Sequence, residues 1–576
     1  MRRAAALGLL LALALAGCQR VPDDPRRGAV ATAHPLATRA AADVLRDGGN
    51  AVDAAVAAAF ALAVVEPYSS GLGGGGFFVA HLEGPDRDLA LDARETAPAA
   101  ASRDMYLRDG APVDSLSRDG ALAVATPGLV PGLWELHHRE GRLPWPRLVA
   151  PARDLARDGF PVDELLARRI RGHAERFDPA ARAVFLPDGV PPETGAVLRQ
   201  PDLAATLDRV ARHGGDEFRT GATAQALAAA VREAGGLLSP ADLAAYRPVW
   251  RDPLHGSYRG LHVVGMPPPS SGGLHLIQML RMLEPEPLPG PGHAHAESAH
   301  RLAAAMTCAY ADRARWLGDP DQVDIPVARL LDPARLDSLM ARVHPDARLT
   351  WADAGGLGSA VPEGDHTTHL SVLDLEGNAV AATLTINLSF GAGMVAAGTG
   401  VVLNDEMDDF AAAPGTPNAF GLVGAEANAV APGKRPLSSM TPTILLRGDD
   451  DVAMVVGSPG GSRIITAVLQ TVLNVVDFRM DARRALATPR IHNQGLPEVL
   501  FHEPGALAPQ VAAELARRGH VLQERESMGN VQLIVVGEDG RVDAAADPRG
   551  VGAAQLVSRP LADGAPTARP APAPGF

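Results

Sequence analysis

Aromatic side chains are scarce. Phe, Tyr and Trp make up 4% of the 576 residues, although apolar residues as a whole reach 46%. The core is therefore expected to be built from Ala, Leu and Val. Cysteine is nearly absent: only Cys18 and Cys308 occur. Cys18 belongs to an N-terminal leader, so Cys308 has no partner and no internal disulfide is expected. Cys308 reads as a small buried apolar residue in a helical run over 296–316. No basic tract offsets the net charge of −14. Nucleic-acid binding needs phosphate neutralisation by Lys and Arg, so it is excluded. No internal repeat is found. The turn over 457–461 lacks the Gly-Lys-Ser/Thr of a phosphate-binding loop. His293, His295, Glu297 and His300 fit no standard metal-ligand spacing, and no metal or cofactor is expected. The length would allow several domains, but one large layered unit can use all of it.

What is present centres on Asp365-His366-Thr367-Thr368-His369-Leu370-Ser371-Val372-Leu373-Asp374. Leu370, Val372 and Asp374 alternate with Ser371, Leu373 and Leu375. Glu376-Gly377-Asn378 is a turn signal, and a β-rich run follows to Asn387. The hairpin register sets Thr367, at the start of the first strand, against roughly Thr385 to Asn387. Hydroxyls and an amide thus gather at one strand end. A threonine there becomes a nucleophile with its own amino group as base once a cut frees it. Taken alone, the stretch also fits a surface hairpin with Thr at β-favoured positions.

In chain order, Arg2 and Arg3 precede a 13-residue apolar run over 4–16, too short to span a bilayer and suited to a signal peptide over 1–17. Residues 19–27 form a polar tether. Helices are expected over 34–47 and 51–65, the second buried on all sides, with Gly48-Gly49 between them. The glycine run 71–76 allows close backbone approach to backbone or ligand. A strand over 89–95 ends near Arg94, which can hold a carboxylate. Residues 120–345 read as mostly helical, without evident chemistry, and Pro267 to Gly273 as a rigid turn before a helix. Residues 414–421 form an exposed loop. A strand over 452–456, a glycine turn and a helix over 464–476 follow; such a turn presents N–H groups suited to an oxyanion. Residues 560–576 read as disordered.

Several motifs together resemble the γ-glutamyltranspeptidase family of N-terminal nucleophile hydrolases. They are Thr367-Thr368-His369, Asn404 to Phe410, Lys434 to Met440, and Gly457 to Arg463. Gly48 to Ala55, Leu72 to Phe77 and Asp92-Ala93-Arg94-Glu95 lie upstream. The resemblance runs from about residue 28 to about 555, with the motifs in family order. It implies an α+β fold, a four-layer αββα sandwich of two stacked, mostly antiparallel sheets flanked by helices. It also implies self-cleavage between His366 and Thr367, giving a large chain of 18–366 and a small chain of 367–576 that stay paired. The implied activity is γ-glutamyl transfer or hydrolysis, from glutathione and related compounds to water or to amino acids and peptides. Thr367 would be the nucleophile, Thr385 its orienting partner, and Gly460 and Gly461 the oxyanion donors. Arg94, Ser438 and Ser439 would take the substrate α-carboxylate; Asn387, Glu406 and Asp409 would take its α-ammonium. Without substrate, Glu406 and Asp409 are expected to repel each other. Phe420 would stand at a lid where the family often has Tyr, keeping bulk without the hydroxyl.

Separately, Leu15-Ala16-Gly17-Cys18 resembles a bacterial lipobox. It implies lipid on Cys18 and a cell-envelope location facing the periplasm, with Gln19 favouring the outer membrane. Two other readings stay open: a glutaryl or cephalosporin acylase of the same fold, whose acyl group lacks the α-amine, and an inactive lipoprotein scaffold.

Overall fold

The computed structural model describes residues 27–83, 87–292, 294–357, 367–413, 424–448 and 450–558. Cys18, His293, His366, Phe420 and the 560–576 tail, on which expectations were placed, lie outside them.

Strand β1 (Gly28–Thr32) leads into helices α1 (Pro35–Arg46) and α2 (Ala51–Val65). Asn50 and Asp53 close a capping box at the start of α2, and every residue of α2 is buried. Its small side chains let other layers close around it on all sides. The antiparallel pair β2 (Gly75–Leu82) and β3 (Arg87–Ala93) follows. Beyond a helical region come three short strands, β4 (Val249–Arg251), β5 (Leu254–Tyr258) and β6 (Leu261–Gly265). These interrupt a stretch expected to be mostly helical. Next are α3 (Gly272–Leu283) and α4 (Ala296–Trp316). The expected hairpin is β7 (Thr368–Leu373) and β8 (Ala379–Thr385). The chain continues through β9 (Thr443–Arg447), β10 (Asp451–Gly457), α5 (Ile464–Val476), β11 (Gln532–Val536), β12 (Val542–Ala546) and β13 (Ala553–Val557).

Two sheets result. The first has seven strands in the order β13-β1-β7-β8-β2-β3-β4, the second six in the order β12-β11-β10-β9-β6-β5. Every pairing within them is antiparallel. Strand parity sorts the core into layers. Val30, Phe78, Leu91, Leu370, Val372, Val380 and Leu384 face α1, α2 and neighbouring helices. Their alternates, Ala29, Ala31, Phe77, Val79, Ala90, Leu373, Ala379 and Ala381, meet Val264, Ile444, Val455 and Ile534 of the second sheet. The opposite face of that sheet, with Val263, Leu445, Met454, Val456 and Leu533, packs on α3, α4 and α5. This is the four-layer αββα sandwich. The layer between sheets is rich in Ala, consistent with the scarcity of rings.

Alternation along β7 therefore separates two buried faces, not a buried face from a solvated one. His369 sits in it, with Nδ1 2.8 Å from Thr383 Oγ1 and Nε2 3.2 Å from Ser371 Oγ. Burial pushes its pKa down to about 3, so the ring is neutral. Cys308 is a free, buried thiol in α4. No helix of the described residues is long and apolar enough to cross a membrane.

Candidate active site

The β7–β8 hairpin sets the site. Thr368 pairs with Leu384, one residue tighter than expected, and Thr367 stands level with Thr385. Thr367 is 7% exposed and Thr385 3%. The Thr385 hydroxyl accepts from the Asn387 amide at 2.8 Å. Asn387 takes a left-handed conformation (φ +71°), which asparagine tolerates better than most residues. Its side-chain amide donates to the Asp405 carbonyl at 3.0 Å. The glycine run serves backbone contact: a Cβ on Gly74 would lie 2.0 Å from the Thr385 carbonyl oxygen.

Thr367, Thr385, Asn387 and Gly461 line one pocket together with Arg94, Glu406, Asp409, Ser438 and Ser439. Gly460 lines an adjoining cleft that meets this pocket at Thr367. Nine of the ten expected catalytic and substrate-binding residues thus share one pocket, and the tenth borders it. Gly460 and Gly461 both have positive φ, +134° and +56°, so a side chain at either would strain the turn. The turn leads into α5, whose first residue, Ile464, lines the same pocket as Thr367.

The acidic residues come from a short 3-10 turn, Glu406–Asp409. Asn404 holds that turn in place. Its amide donates to the Gly73 and Ala125 carbonyls (2.7 and 3.0 Å), and its oxygen accepts from the amides of Ala125 and Glu406 (both 3.0 Å). Arg94 follows β3 directly. Its guanidinium bonds Glu406 and Asp409, and also the carbonyls of Pro436 (3.2 Å) and Leu437 (3.3 Å). The expected repulsion between the two acids is therefore relieved by Arg94, which stands between them and compensates both. Burial opposes the Arg94 charge, but Glu406, Asp409 and Glu95 outweigh it and raise its pKa.

Glu95 is fully buried, 3.9 Å from Arg94 Nη1. Burial, only partly offset by Arg94, pushes its pKa up to about 7. Burial also raises Glu406 well above the usual carboxylate range. Both shifts favour the neutral carboxyl, as burial without a dedicated counter-ion requires.

Ser438 and Ser439 are held by the turn before α3. The Ser271 amide and hydroxyl donate to the Ser438 carbonyl (2.8 and 2.7 Å), and the Ser438 amide donates to the Pro269 carbonyl (2.9 Å). The Ser438 hydroxyl accepts from the Met440 amide at 3.1 Å. The Ser439 hydroxyl is buried with no hydrogen-bond partner among the described residues. Lys434, the single lysine of the chain, is buried and donates to the Ala427 and Ala429 carbonyls (2.7 and 3.0 Å).

Sequence reasoning missed Arg313, which also lines the pocket. It lies in the region read as having no evident chemistry. The signal was there: Ala299, Leu302, Met306 and Tyr310 form a buried stripe on α4, and helical spacing continues it to a cation at 313. Of the described histidines in that run, His295 is the N-cap of α4, while His300 is buried and bonded to His520 (2.9 Å). Among the described residues, the one grouping whose donor atoms could share a metal ion is Asp88, His255 and His262; none of them lines the pocket.

The chain matches the family model described as Gamma-glutamyltranspeptidase over residues 37–557. It is 43% identical over 534 residues to a glutathione hydrolase proenzyme of Escherichia coli (strain K12), covering 92% of each chain. It is 43% identical over 567 residues to a glutathione hydrolase proenzyme of Pseudomonas aeruginosa, covering 96% of this chain and 98% of that one. Its fold matches the crystal structure of a cephalosporin acylase from Bacillus halodurans with a TM-score of 0.80. That match is 28% identical and covers 92% of this chain and 96% of the other.

Proposed function

Because the chain belongs to the γ-glutamyltranspeptidase family, we propose that it is a self-processing γ-glutamyltransferase and glutathione hydrolase. In the first stage the Thr367 hydroxyl attacks the His366 carbonyl, the amide becomes an ester, and water cuts it. The sheets explain why the halves would stay paired. β7 and β8 of the small chain lie between β1 and β2 of the large one, and β9 pairs with β6.

The cut turns the Thr367 amide into an α-amine, which titrates near about 7.7–8.0 and is a competent base at neutral pH. It takes the hydroxyl proton as Thr367 Oγ1 attacks the γ-carbonyl carbon. The backbone N–H groups of Gly460 and Gly461 hold the oxyanion, and each such donor is worth about 3 kcal/mol of barrier. The ammonium returns the proton to the departing amine, leaving a γ-glutamyl ester on Thr367. Water or the amine of an amino acid or peptide then resolves the ester. Thr385 orients the nucleophile. Arg94, Ser438 and Ser439 bind the α-carboxylate, while Asn387, Glu406 and Asp409 bind the α-ammonium.

The observation that carries this reading is the pocket itself. It joins a strand-start threonine to two acids, the buried Glu406 and the half-buried Asp409, which suit a cationic group on the acyl chain. The rival acylase reading, favoured by the likeness to a cephalosporin acylase, needs no such acids. Purified enzyme is expected to favour γ-glutamyl 4-nitroanilide over the glutaryl anilide, which differs only by the missing amine, by about 10–100-fold in kcat/KM. Equal rates, or a preference for glutaryl, would replace the transferase reading with the acylase one.

The envelope location is supported by the lipobox-like Leu15-Ala16-Gly17-Cys18 and the nine-residue polar tether after it. Lipid on Cys18 would hold the enzyme on the outer membrane, facing the periplasm. The protein from cells is expected to partition into detergent and Cys18→Ala into the aqueous phase. A wild type found in the aqueous phase would refute the anchor.

A further inference from the structure

Four ionisable side chains gather away from the pocket, at the margin where the two sheets meet. His81 of β2 and Asp88 of β3 are directly paired across their strands, so both point to one face. His81 shares that face with Phe77 and Val79, which lie between the sheets. In the second sheet, His255 of β5 pairs with Val264 of β6, another residue of the layer between sheets. His262 stands two residues before Val264 and so faces the same way. β5 is the last strand of its sheet, and β4 is the last of the other. Only Asp252 and Pro253 separate them. The chain thus crosses from one sheet to the other immediately before His255.

The donor atoms converge. His255 Nδ1 lies 2.8 Å from His262 Nε2 and 3.7 Å from Asp88 Oδ2. All three atoms lie within 4.8 Å of one another. Two donors on one tetrahedral Zn²⁺, each about 2.0–2.1 Å from it, stand about 3.3 Å apart. The two measured separations fall on either side of that value. Side-chain rotation would therefore close the three donors onto one ion, and His255, exposed on its edge strand, has room for it. Nitrogens 2.8 Å apart cannot both carry protons. At least one presents a lone pair, the ligating form of an imidazole. The carboxylate is held from behind: His81 Nδ1 lies 2.7 Å from Asp88 Oδ1, which leaves Oδ2 turned to His255. His81 is buried and Asp88 half-buried. Groups that fix a ligating side chain in this way are a regular part of metal sites.

We propose that Asp88, His255 and His262 bind one divalent transition-metal ion, Zn²⁺ by preference, with water in the fourth position and His81 holding the Asp88 carboxylate. Two imidazoles and one carboxylate suit Zn²⁺ and serve Ca²⁺ and Mg²⁺, which take oxygen ligands, poorly. The ion would tie the two sheets together where the chain crosses between them. Asp88 is far from both histidines in sequence, so no spacing motif announces the site. The proposal is independent of the transferase reading, because none of these residues lines the nucleophile's pocket.

The test is calorimetry on untagged, chelator-stripped protein, titrated with Zn²⁺ and separately with Ca²⁺. Wild type is expected to bind one equivalent of Zn²⁺ at this site and to bind Ca²⁺ far more weakly. His81→Gln should weaken Zn²⁺ binding about 10–100-fold, as loss of an outer partner does. His255→Ala and His262→Ala should each weaken it more. Zn²⁺ in hundredfold excess over Kd should raise the wild-type Tm by about 2 °C and leave that of His255→Ala unmoved. Co²⁺ in place of Zn²⁺ should give the visible absorption of a tetrahedral ion in wild type and not in His255→Ala. That variant changes an exposed side chain on an edge strand, so it decides alone if His262→Ala fails to fold. No Zn²⁺ bound by wild type, equal affinity in His255→Ala, or Ca²⁺ bound as tightly as Zn²⁺ would each overturn the proposal.

Discussion

Thr367→Ala is expected to purify as one uncut chain and to lose at least about 10⁴-fold in γ-glutamyl turnover, the scale of removing a nucleophile whose base acts with it. Two losses coincide in this variant. The hydroxyl that attacks substrate is gone, and the same hydroxyl is needed to release the amine that activates it. The rest of the pocket should survive, because β7 is held on both sides by β1 and β8 and alanine fits a buried strand end. Wild type should yield a small chain whose first residue is Thr367, and Thr367→Ser should be cut as well. Denaturing electrophoresis with N-terminal sequencing checks all three proteins. A cut at residue 367 in the alanine variant would mean another group starts the cleavage, and the single-nucleophile scheme would fall.

Arg94→Met is expected to be the most damaging change outside the nucleophile. It leaves Glu406 and Asp409 facing each other in a buried site, with Glu95 close behind. Removing one partner from a buried ion pair costs about 3–5 kcal/mol, enough to threaten folding outright. The loss should depend on pH with a definite sign. Burial raises Glu95 to about 7 and also raises Glu406, both above the unfolded value of 4.5. The folded state therefore keeps protons that the unfolded state releases, so stability is greatest at low pH and is lost as pH rises through about 7. Without Arg94 both acids rise further, so the deficit should be largest above neutrality and shrink toward pH 5. Adding Glu406→Gln and Asp409→Asn should restore stability without restoring activity. Thermal unfolding across that range checks this. A deficit independent of pH, or one the double change leaves untouched, would show that Arg94 is not the counter-ion of these acids.

Much of this architecture was legible in the sequence where chain-local physics decides. α2 and α5 begin and end where expected, because capping residues, glycine turns and unbroken apolar runs mark them. The hairpin register put Thr367 beside Thr385 within one residue, since a tight turn leaves little freedom. The short strands β4, β5 and β6 were not legible. They are three to five residues long, only partly buried, and carry His, Arg and Pro-flanked ends, so their pairing comes from the sheets they join. The Arg94 link to Glu406 and Asp409 spans more than 300 residues, and motifs read separately give no hint that an expected ligand-binding cation compensates the ligand-binding acids. Arg313 was passed over because its helix reads as core; only the fold shows that the stripe runs out into a pocket.

Lys434 is the single lysine, and its ammonium is buried against two carbonyls. In a chain cut before Thr367, the small fragment would then own one primary amine open to solvent-borne chemistry, that of the nucleophile itself. Amine-directed reagents, usually scattered over a protein's many lysines, would have a single target there. The fraction of small chain that takes up the tag would count activated molecules in a preparation, and its pH dependence would give the titration of the catalytic base without any substrate present.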